Sequence, residues 1–172
     1  MKKFVVFLIV GLLASSAAWG ATSAGITIEA NVAQILDVSP DPLTTWEFGI
    51  DNSGNAAEFQ NVGTLTVKSS TETYIVTFSS ANGGMLKKNE TDNPISYNVK
   101  AGLTSAYAQW TGIYNNALDT YVQLSAPKTI LFSQKTPKDG VEFNISFNIE
   151  AYTEFYVDGV YTDTITISIA QN

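Results

Sequence analysis

The sequence contains no cysteine, no histidine and no arginine. Without cysteine there is no disulfide, so stability has to come from apolar burial and strand pairing. Without histidine there is no imidazole to act as a base at neutral pH or to bind a metal. Without arginine, and with a net charge of −7, the chain lacks the cationic surface that neutralises nucleic-acid phosphates. We therefore expect no nucleic-acid partner, no cofactor and no bound metal.

These absences also disfavour catalysis. A pair of carboxylates is the acid–base constellation that remains when cysteine and histidine are missing. Glu142 and Glu150 lie on one predicted strand, where eight residues of extended chain put them about 26 Å apart. That separation is too large for a catalytic pair, so we expect no enzyme and no small-molecule substrate.

The first twenty residues have the pattern of a secretory signal. Lys2 and Lys3 precede an apolar run, and small residues precede Ala21. The apolar run is too short to be interpreted as a membrane-spanning helix. We expect residues 1–20 to be removed during export, which leaves 172 − 20 = 152 residues in one domain.

Short segments of alternating apolar and polar residues predict an all-β fold. Two connections are expected to be turns, Ser39–Pro42 and Thr136–Gly140, and the polar loop Asp51–Asn55 lacks the acidic spacing of a calcium-binding loop. We expect a hairpin through Ser69–Glu72. The predicted strands are residues 25–38, 44–50, 63–68, 73–79, 95–100, 128–133, 141–151 and 160–170. This pattern indicates an immunoglobulin-like β-sandwich.

The segment 102–127 carries aromatic residues without a clear period. Tyr107, Trp110 and Tyr114 are candidate sugar-contact residues on a surface, as in a carbohydrate-binding module. Packing of the same rings in the interior, or in a long irregular loop, is the other interpretation.

The stretch Asp158–Ile169 resembles the C-terminal motif of the spore coat protein U-like domain and of archaic chaperone-usher pilins. A glycine, Gly159, is followed by an aromatic residue, Thr-Asp-Thr and an alternating aliphatic strand. Other short segments are similar to parts of the same family, although its common disulfide is missing here. These segments are Gly25–Val32, Trp46–Gly49, Gly63–Ser79 and Leu86–Val99.

The resemblance implies a sandwich that lacks its last strand. It implies a groove, with Gly159, Ile165, Ile167 and Ile169 at its acceptor edge, that is filled first by a periplasmic chaperone and then by the N-terminal segment of another subunit. The expected function is that of a fimbrial subunit, exported through the inner membrane, passing through the periplasm and an outer-membrane usher, and ending in a cell-surface fibre of identical or related subunits.

The physical reading of Gly25–Val38 agrees with this expectation. Ile26, Ile28, Ala30 and Val32 share one parity and suit an extended segment that enters an apolar groove. We expect residues 21–34 to form this donor-strand segment and residues 35–172 to form the domain. A self-complemented secreted coat protein, whose first strand pairs within its own sandwich, is the alternative with the same fold.

Overall fold

A computed structural model of the protein describes residues 29–30, 32–43, 45–89 and 93–172. The predicted signal peptide, the first part of the donor segment and its residues Ile26 and Ile28 lie outside the described residues. The chain divides into two compact units, residues 1–33 and residues 34–172. All the strands described below belong to the second unit.

The described residues form ten β-strands and one short 3₁₀ helix, Ser105–Tyr107. In chain order the strands are β1 (Leu36–Asp41), β2 (Ala57–Ser69), β3 (Tyr74–Ser80), β4 (Met85–Leu86), β5 (Ile95–Ser96), β6 (Asn98–Leu103), β7 (Ile113–Asn116), β8 (Lys128–Phe132), β9 (Val141–Ile149) and β10 (Ile165–Gln171). The expectation of an all-β fold is confirmed. Within these described residues, no helix is both long enough and apolar enough to cross a membrane.

The strands form two four-stranded antiparallel sheets and one small hairpin. The first sheet has the order β1-β2-β9-β6, the second has the order β10-β3-β8-β7, and β4 pairs with β5. One apolar cluster takes side chains from both sheets, an arrangement consistent with a β-sandwich.

The core follows from the two-residue period of the long strands. Every second residue of β9, from Val141 to Ile149, is buried, and the same alternation places Tyr74, Val76 and Phe78 of β3 in the core. Each fully buried aliphatic or aromatic side chain contributes about 1.5–3 kcal/mol. The alternating sequence pattern of these strands is therefore what directs their inner faces together.

The predicted hairpin between residues 63–68 and 73–79 is wrong. β2 pairs with β1 and β9 in the first sheet, whereas β3 pairs with β10 and β8 in the second. The connection after Ser69 therefore crosses from one sheet to the other, and the Ser69 hydroxyl accepts the Thr71 N–H at 3.1 Å within it. Both strands can bury their apolar faces this way because they approach the core from opposite sides.

The predicted turn at Ser39–Pro42 starts later than expected. β1 continues through Pro40 to Asp41, with Pro40 opposite Leu65 of β2. Proline is tolerated there because β1 is an edge strand, where one side of the backbone has no ladder to complete.

Other predicted strands also differ from those observed, since β1 begins only at Leu36 and β2 begins already at Ala57. Residues 45–50 are not a strand, although Trp46, Phe48 and Ile50 keep the alternating burial that the sequence predicts. The strand predicted at 95–100 is broken at Tyr97, and the last strand begins at Ile165 rather than at residue 160. The alternation of apolar and polar residues predicts which side chains face inward. A β-strand also needs a neighbouring backbone with which it can form hydrogen bonds.

Candidate functional site

Two edge strands border the candidate site. β1 lies at the end of the first sheet and β10 at the end of the second. Among the described residues, β1 pairs with β2 and β10 pairs with β3, so each has one outer backbone edge without a ladder. We call the space between these edges, together with its continuation between residues 42–52 and 156–164, the β1–β10 groove.

The backbone of β10 presents hydrogen-bonding groups to this groove. The Thr164 carbonyl accepts the Ala81 N–H at 2.9 Å, and the Asn172 N–H donates to the Thr73 carbonyl at 3.2 Å. The backbone N–H and C=O groups of the even-numbered residues of β10 therefore point toward β3. Backbone groups alternate in direction along an antiparallel strand. The N–H and C=O groups of Ile165, Ile167 and Ile169 therefore point toward the open edge.

A side-chain hydrogen bond joins the two edges near one end of the groove. Gln34 Nε2 donates to Gln171 Oε1 at 3.1 Å, which links the chain before β1 to the end of β10. Toward the other end, β1 and β10 border a first cavity of about 300 Å³. Its apolar lining includes Val38, Pro40, Leu43, Trp46, Leu86, Tyr97, Phe147, Ile165 and Ile167.

A second cavity continues the groove beyond the start of β10. Its volume is about 670 Å³, and Thr45, Trp46, Phe48, Leu86 and Asp163 line both cavities. The remaining lining is largely apolar and includes Ile50, Ile95, Tyr156, Val157, Val160 and Tyr161. The two cavities are therefore successive parts of one apolar groove.

Stacked aromatic rings support the floor of the groove. The Phe48 ring lies 4.5 Å from the Phe59 ring and 5.3 Å from the Phe147 ring, centroid to centroid. Trp46 and Tyr97 contact the same Phe147 ring at 6.1 and 5.8 Å. Such tilted and stacked pairs each add about 0.5–1.5 kcal/mol beyond area burial, so the floor is held in place by packing from the core.

Gly63 allows Trp46 to lie against β2. A Cβ atom at position 63 would overlap the Trp46 indole, so the ring lies directly on the glycine backbone. The indole Nε1 is buried and has no hydrogen-bond partner among the described residues. A glycine at this position is therefore required by the close approach of Trp46.

Asp163 lies where the two cavities meet. Its Oδ1 accepts the backbone N–H groups of Asn82 at 3.0 Å and Thr164 at 2.7 Å. Its Oδ2 accepts the hydroxyls of Ser80 and of Tyr97, the latter at 2.7 Å. Four donors thus satisfy one carboxylate and tie the start of β10 to the end of β3 and to the buried Tyr97.

This network also affects the Tyr97 phenol. Burial raises the pKa of Tyr97 far above its ordinary value, and the hydrogen bond to the Asp163 carboxylate raises it further. The phenol therefore stays protonated and remains a hydrogen-bond donor at any physiological pH.

The long connection from β9 to β10 forms one wall of the second cavity. The Asn52 side chain binds the backbone of Tyr156 twice, donating to its carbonyl at 2.8 Å and accepting its N–H at 3.0 Å. At its far end, Gly159 has a φ of 137° and Lys88 Nζ donates to the Asp158 carbonyl at 2.7 Å. These bonds hold an otherwise irregular segment against the groove.

The predicted acceptor residues lie at different places along the groove. Ile165 and Ile167 line the first cavity and Gly159 lines the second, whereas Ile169 lines neither. Of the predicted donor residues that are described, Ala30 is exposed and Val32 is 91% exposed.

The candidate sugar-contact aromatics have different environments. Tyr107 and Trp110 are partly buried against the core, where the Trp110 ring lies 5.9 Å from the Phe132 ring. Tyr114 is 79% exposed. Among the described residues, no group of three or more acidic residues is arranged to hold a metal ion.

Sequence reasoning missed three residues that line the groove. Trp46 and Leu86 line both cavities, and Asp163 connects them, but none was predicted to be a groove residue. The alternation of Trp46 and Phe48 was a usable signal for inward-facing aromatics. Nothing in the local sequence indicated that they would face the last strand.

No protein-family model and no curated protein matches the chain in sequence comparisons.

Proposed function

We propose that the protein is a structural subunit of a secreted surface fibre, and that it polymerises by donating its N-terminal segment to the groove of a neighbouring subunit. The observation that carries this proposal is the open edge of β10 beside an apolar groove. Ile165 and Ile167 border that groove with their side chains, and their backbone groups point to the same open side.

An extended peptide is the occupant that satisfies both features. An exposed strand edge beside apolar side chains is an aggregation hazard unless something covers it. An added strand supplies main-chain hydrogen bonds to the edge and alternate side chains to the cavities. The combined volume of the two cavities also suits several residues rather than one side chain.

The chain carries a segment of the required type. Ile26, Ile28, Ala30 and Val32 alternate with polar residues in the predicted donor segment, residues 21–34. Burying three large aliphatic side chains contributes about 1.5–3 kcal/mol each. The segment would supply on the order of 5–10 kcal/mol from burial, before the costs of association and ordering.

In this proposal the sheets form an immunoglobulin-like sandwich that lacks its last strand. A subunit with an open groove needs a temporary occupant during export, which is the role we assign to a periplasmic chaperone, with an outer-membrane usher for secretion. A head-to-tail contact between identical or related subunits does not close on itself, so it grows into a filament at the cell surface.

A deletion tests the proposal directly. A chain lacking residues 21–31 keeps the groove but has no donor segment, so we expect it to form no fibres alone and to cap the fibres of the intact chain when the two are mixed. Electron microscopy and SDS-resistant ladders report both effects. Normal fibres from the deletion variant would overturn the proposal.

The same experiment distinguishes the proposed fibre subunit from a self-complemented coat protein. In that case the intact chain would stay monomeric, and the deletion variant would lose stability without any change in assembly. A carbohydrate-binding module would show saturable sugar binding that does not depend on residues 21–31.

A further inference from the structure

We propose that Asn82 is a site of spontaneous deamidation, at which the side-chain amide is lost as ammonia and the residue becomes aspartate or isoaspartate. The site lies in the turn that follows β3, residues 81–84, which is hydrogen-bonded to residues 162–164 just before β10. The modification depends on the fold of a single chain and not on the assembly proposed above. Its expected consequence is a weaker attachment of β10 to β3.

The reaction needs an asparagine followed by a residue whose backbone nitrogen can approach the asparagine side chain. Asn82–Gly83 is the one Asn-Gly pair in the sequence, and glycine suits the reaction because it has no Cβ atom to obstruct the approach. The Gly83 nitrogen attacks Cγ of Asn82, the Cγ–Nδ2 bond breaks, and the proton from Gly83 leaves with Nδ2 as ammonia. Water then opens the five-membered succinimide at one of its two carbonyls, which gives aspartate or isoaspartate.

The turn leaves both reacting groups accessible. Among the described residues, the Gly83 N–H has no acceptor, whereas the Asn82 and Gly84 N–H groups donate to the Ser80 hydroxyl at 3.2 and 2.7 Å. A Cβ atom at Gly83 would have no heavy atom within 4 Å. The leaving group, Asn82 Nδ2, donates to the Thr162 carbonyl over a long distance of 3.4 Å. The nucleophile is therefore free, and the leaving group is weakly held.

The other candidate positions lack this combination. In the pair Asp139–Gly140, the glycine N–H donates to the Pro137 carbonyl at 2.9 Å, so its nitrogen is already engaged. That pair and Asp158–Gly159 also carry a carboxylate, which when ionised is a far poorer electrophile than an amide. Asn115 is exposed, but the residue after it has a side chain that obstructs ring closure. Asn82 is therefore the asparagine that we expect to react first.

The charge that deamidation creates lies beside Asp163. Three hydrogen bonds join the turn to the chain before β10: Ala81 N–H to the Thr164 carbonyl at 2.9 Å, Asn82 N–H to Asp163 Oδ1 at 3.0 Å, and Asn82 Nδ2 to the Thr162 carbonyl. Deamidation replaces the amide donor with a carboxylate, so the bond to the Thr162 carbonyl is lost. The new negative charge also repels the carboxylate that binds the same residue through its N–H.

Isoaspartate adds a change of main-chain length. In that product the main chain runs through the former side chain, which inserts one methylene group before residue 83. Gly84 has little freedom to move, because its carbonyl accepts the Tyr97 N–H at 3.1 Å and a Cβ atom on it would lie 2.9 Å from the Leu124 nitrogen. The added length is therefore taken up at residues 82 and 83, beside the bond to Asp163.

Mass spectrometry of the intact chain tests the site. One sample is kept folded in neutral to mildly alkaline buffer and a second is denatured in guanidinium chloride, and fragmentation of the peptides measures aspartate and isoaspartate at each asparagine. We expect the folded chain to gain both products at Asn82 before any other asparagine changes, with Asn115 as the internal reference. Isoaspartate is diagnostic, because direct hydrolysis of the side-chain amide gives aspartate alone.

Three variants separate the chemistry from its effect on stability. Asn82→Gln keeps an amide but requires a six-membered ring, and Gly83→Ala keeps the asparagine but adds a methyl group beside the nucleophile, so both should slow modification of residue 82. Asn82→Asp reproduces one product directly. It should lower Tm by about 2–4 °C relative to the unmodified chain, the shift expected for the loss of one hydrogen bond in a domain of this size. Asn82→Gln is its uncharged control.

Three results would overturn the proposal in different ways. Deamidation of Asn82 in the denatured sample but not in the folded one would show that the fold protects the pair. An unchanged rate in Gly83→Ala would exclude attack by the Gly83 nitrogen. An unchanged Tm, both in Asn82→Asp and in the folded chain after modification, would refute the weaker attachment of β10. Each is measured on the single chain, so none depends on fibre formation.

Discussion

Replacing Asp163 with asparagine removes a carboxylate that accepts four hydrogen bonds at the centre of the groove. The remaining carbonyl oxygen can keep the two backbone N–H donors, of Asn82 and Thr164. The new NH₂ group then faces the hydroxyls of Ser80 and Tyr97, which lose their acceptor. Asp163→Asn is therefore expected to destabilise the domain by weakening the attachment of β10 to β3.

The magnitude follows from the type and burial of the lost bonds. Hydrogen bonds to a charged group contribute about 1.5–3 kcal/mol each, so two such bonds set an upper range of about 3–6 kcal/mol. Asp163 is partly exposed, so water can form hydrogen bonds with the groups that lose their partner. We therefore expect the free energy of unfolding to fall by about 2–4 kcal/mol. Tyr97→Phe alone removes one of the bonds and should cost about 1.5–3 kcal/mol.

A double-mutant cycle in urea tests whether these groups act together. Tyr97→Phe should cost about 1–2 kcal/mol less when residue 163 is asparagine, because the bond it removes is already lost. Tyr121→Phe is the matched control, since its hydroxyl donates to the exposed Glu58 carboxylate at 2.7 Å, outside the network. The variants are compared in the same assembly state. The slope of the unfolding free energy against urea concentration should be the same for all of them.

Equal costs of Tyr97→Phe in both backgrounds would refute the reasoning. The same conclusion would follow if Tyr121→Phe showed a coupling with Asp163→Asn as large as that of Tyr97→Phe.

Three further predictions concern other parts of the molecule. Burial raises the pKa of the Tyr74 phenol, so the unfolded chain releases this proton at lower pH than the folded chain does. The free energy of unfolding should therefore fall as pH rises above about 10. Tyr74→Phe should reduce the decrease of Tm with pH in thermal unfolding at alkaline pH. Gly63→Ala should displace the Trp46 indole, cost about 1–3 kcal/mol in urea unfolding and change tryptophan fluorescence, and unchanged emission would contradict the contact. Ile28→Asp should abolish SDS-resistant ladders by placing an unpaired carboxylate in the groove, whereas Thr27→Asp, on the outward parity, should preserve them.

The inward faces of the long strands were predictable from sequence. In β9 and β3 the alternation is regular because one face of each strand is buried along its whole length. That pattern depends on local spacing and not on which strand lies beside it. The all-β class and much of the core could therefore be predicted from residues such as Phe143, Ile145 and Val76.

The sheet assignment of neighbouring strands was not predictable in the same way. The polar residues after Ser69 suit a hairpin and a crossing between sheets equally well, and the choice depends on β9, which lies about seventy residues later and pairs with β2. Long-range pairing of this kind carries no local signature.

Alternation predicted that Ile165 and Ile167 share one face of the last strand, whereas their place at the edge of a groove came from the resemblance. Both residues line the first cavity. The rest of the groove depends on the Trp46 ring lying on Gly63 and on the hydrogen bonds of Asp163 to Ser80 and Tyr97. Such contacts join residues distant in sequence, so composition and periodicity could not identify them.

The central claim is that the groove accepts the chain's own N-terminal segment, and peptide binding tests it most directly. The acceptor is a chain lacking residues 21–31 with Trp110→Phe, which leaves Trp46, in the groove wall, as its one tryptophan once residues 1–20 are removed. The ligand is a synthetic peptide of residues 21–34, and its control is the same peptide with Ile28→Asp.

We predict saturable binding of the natural peptide, with a blue shift of Trp46 emission as the indole becomes shielded from water. At a hundredfold excess over Kd, binding adds about 2.7 kcal/mol to the free energy of unfolding. At about 2–4 °C per kcal/mol for a domain of this size, Tm should rise by about 5–11 °C. Absence of binding, or equal binding and stabilisation by the Ile28→Asp peptide, would contradict the account.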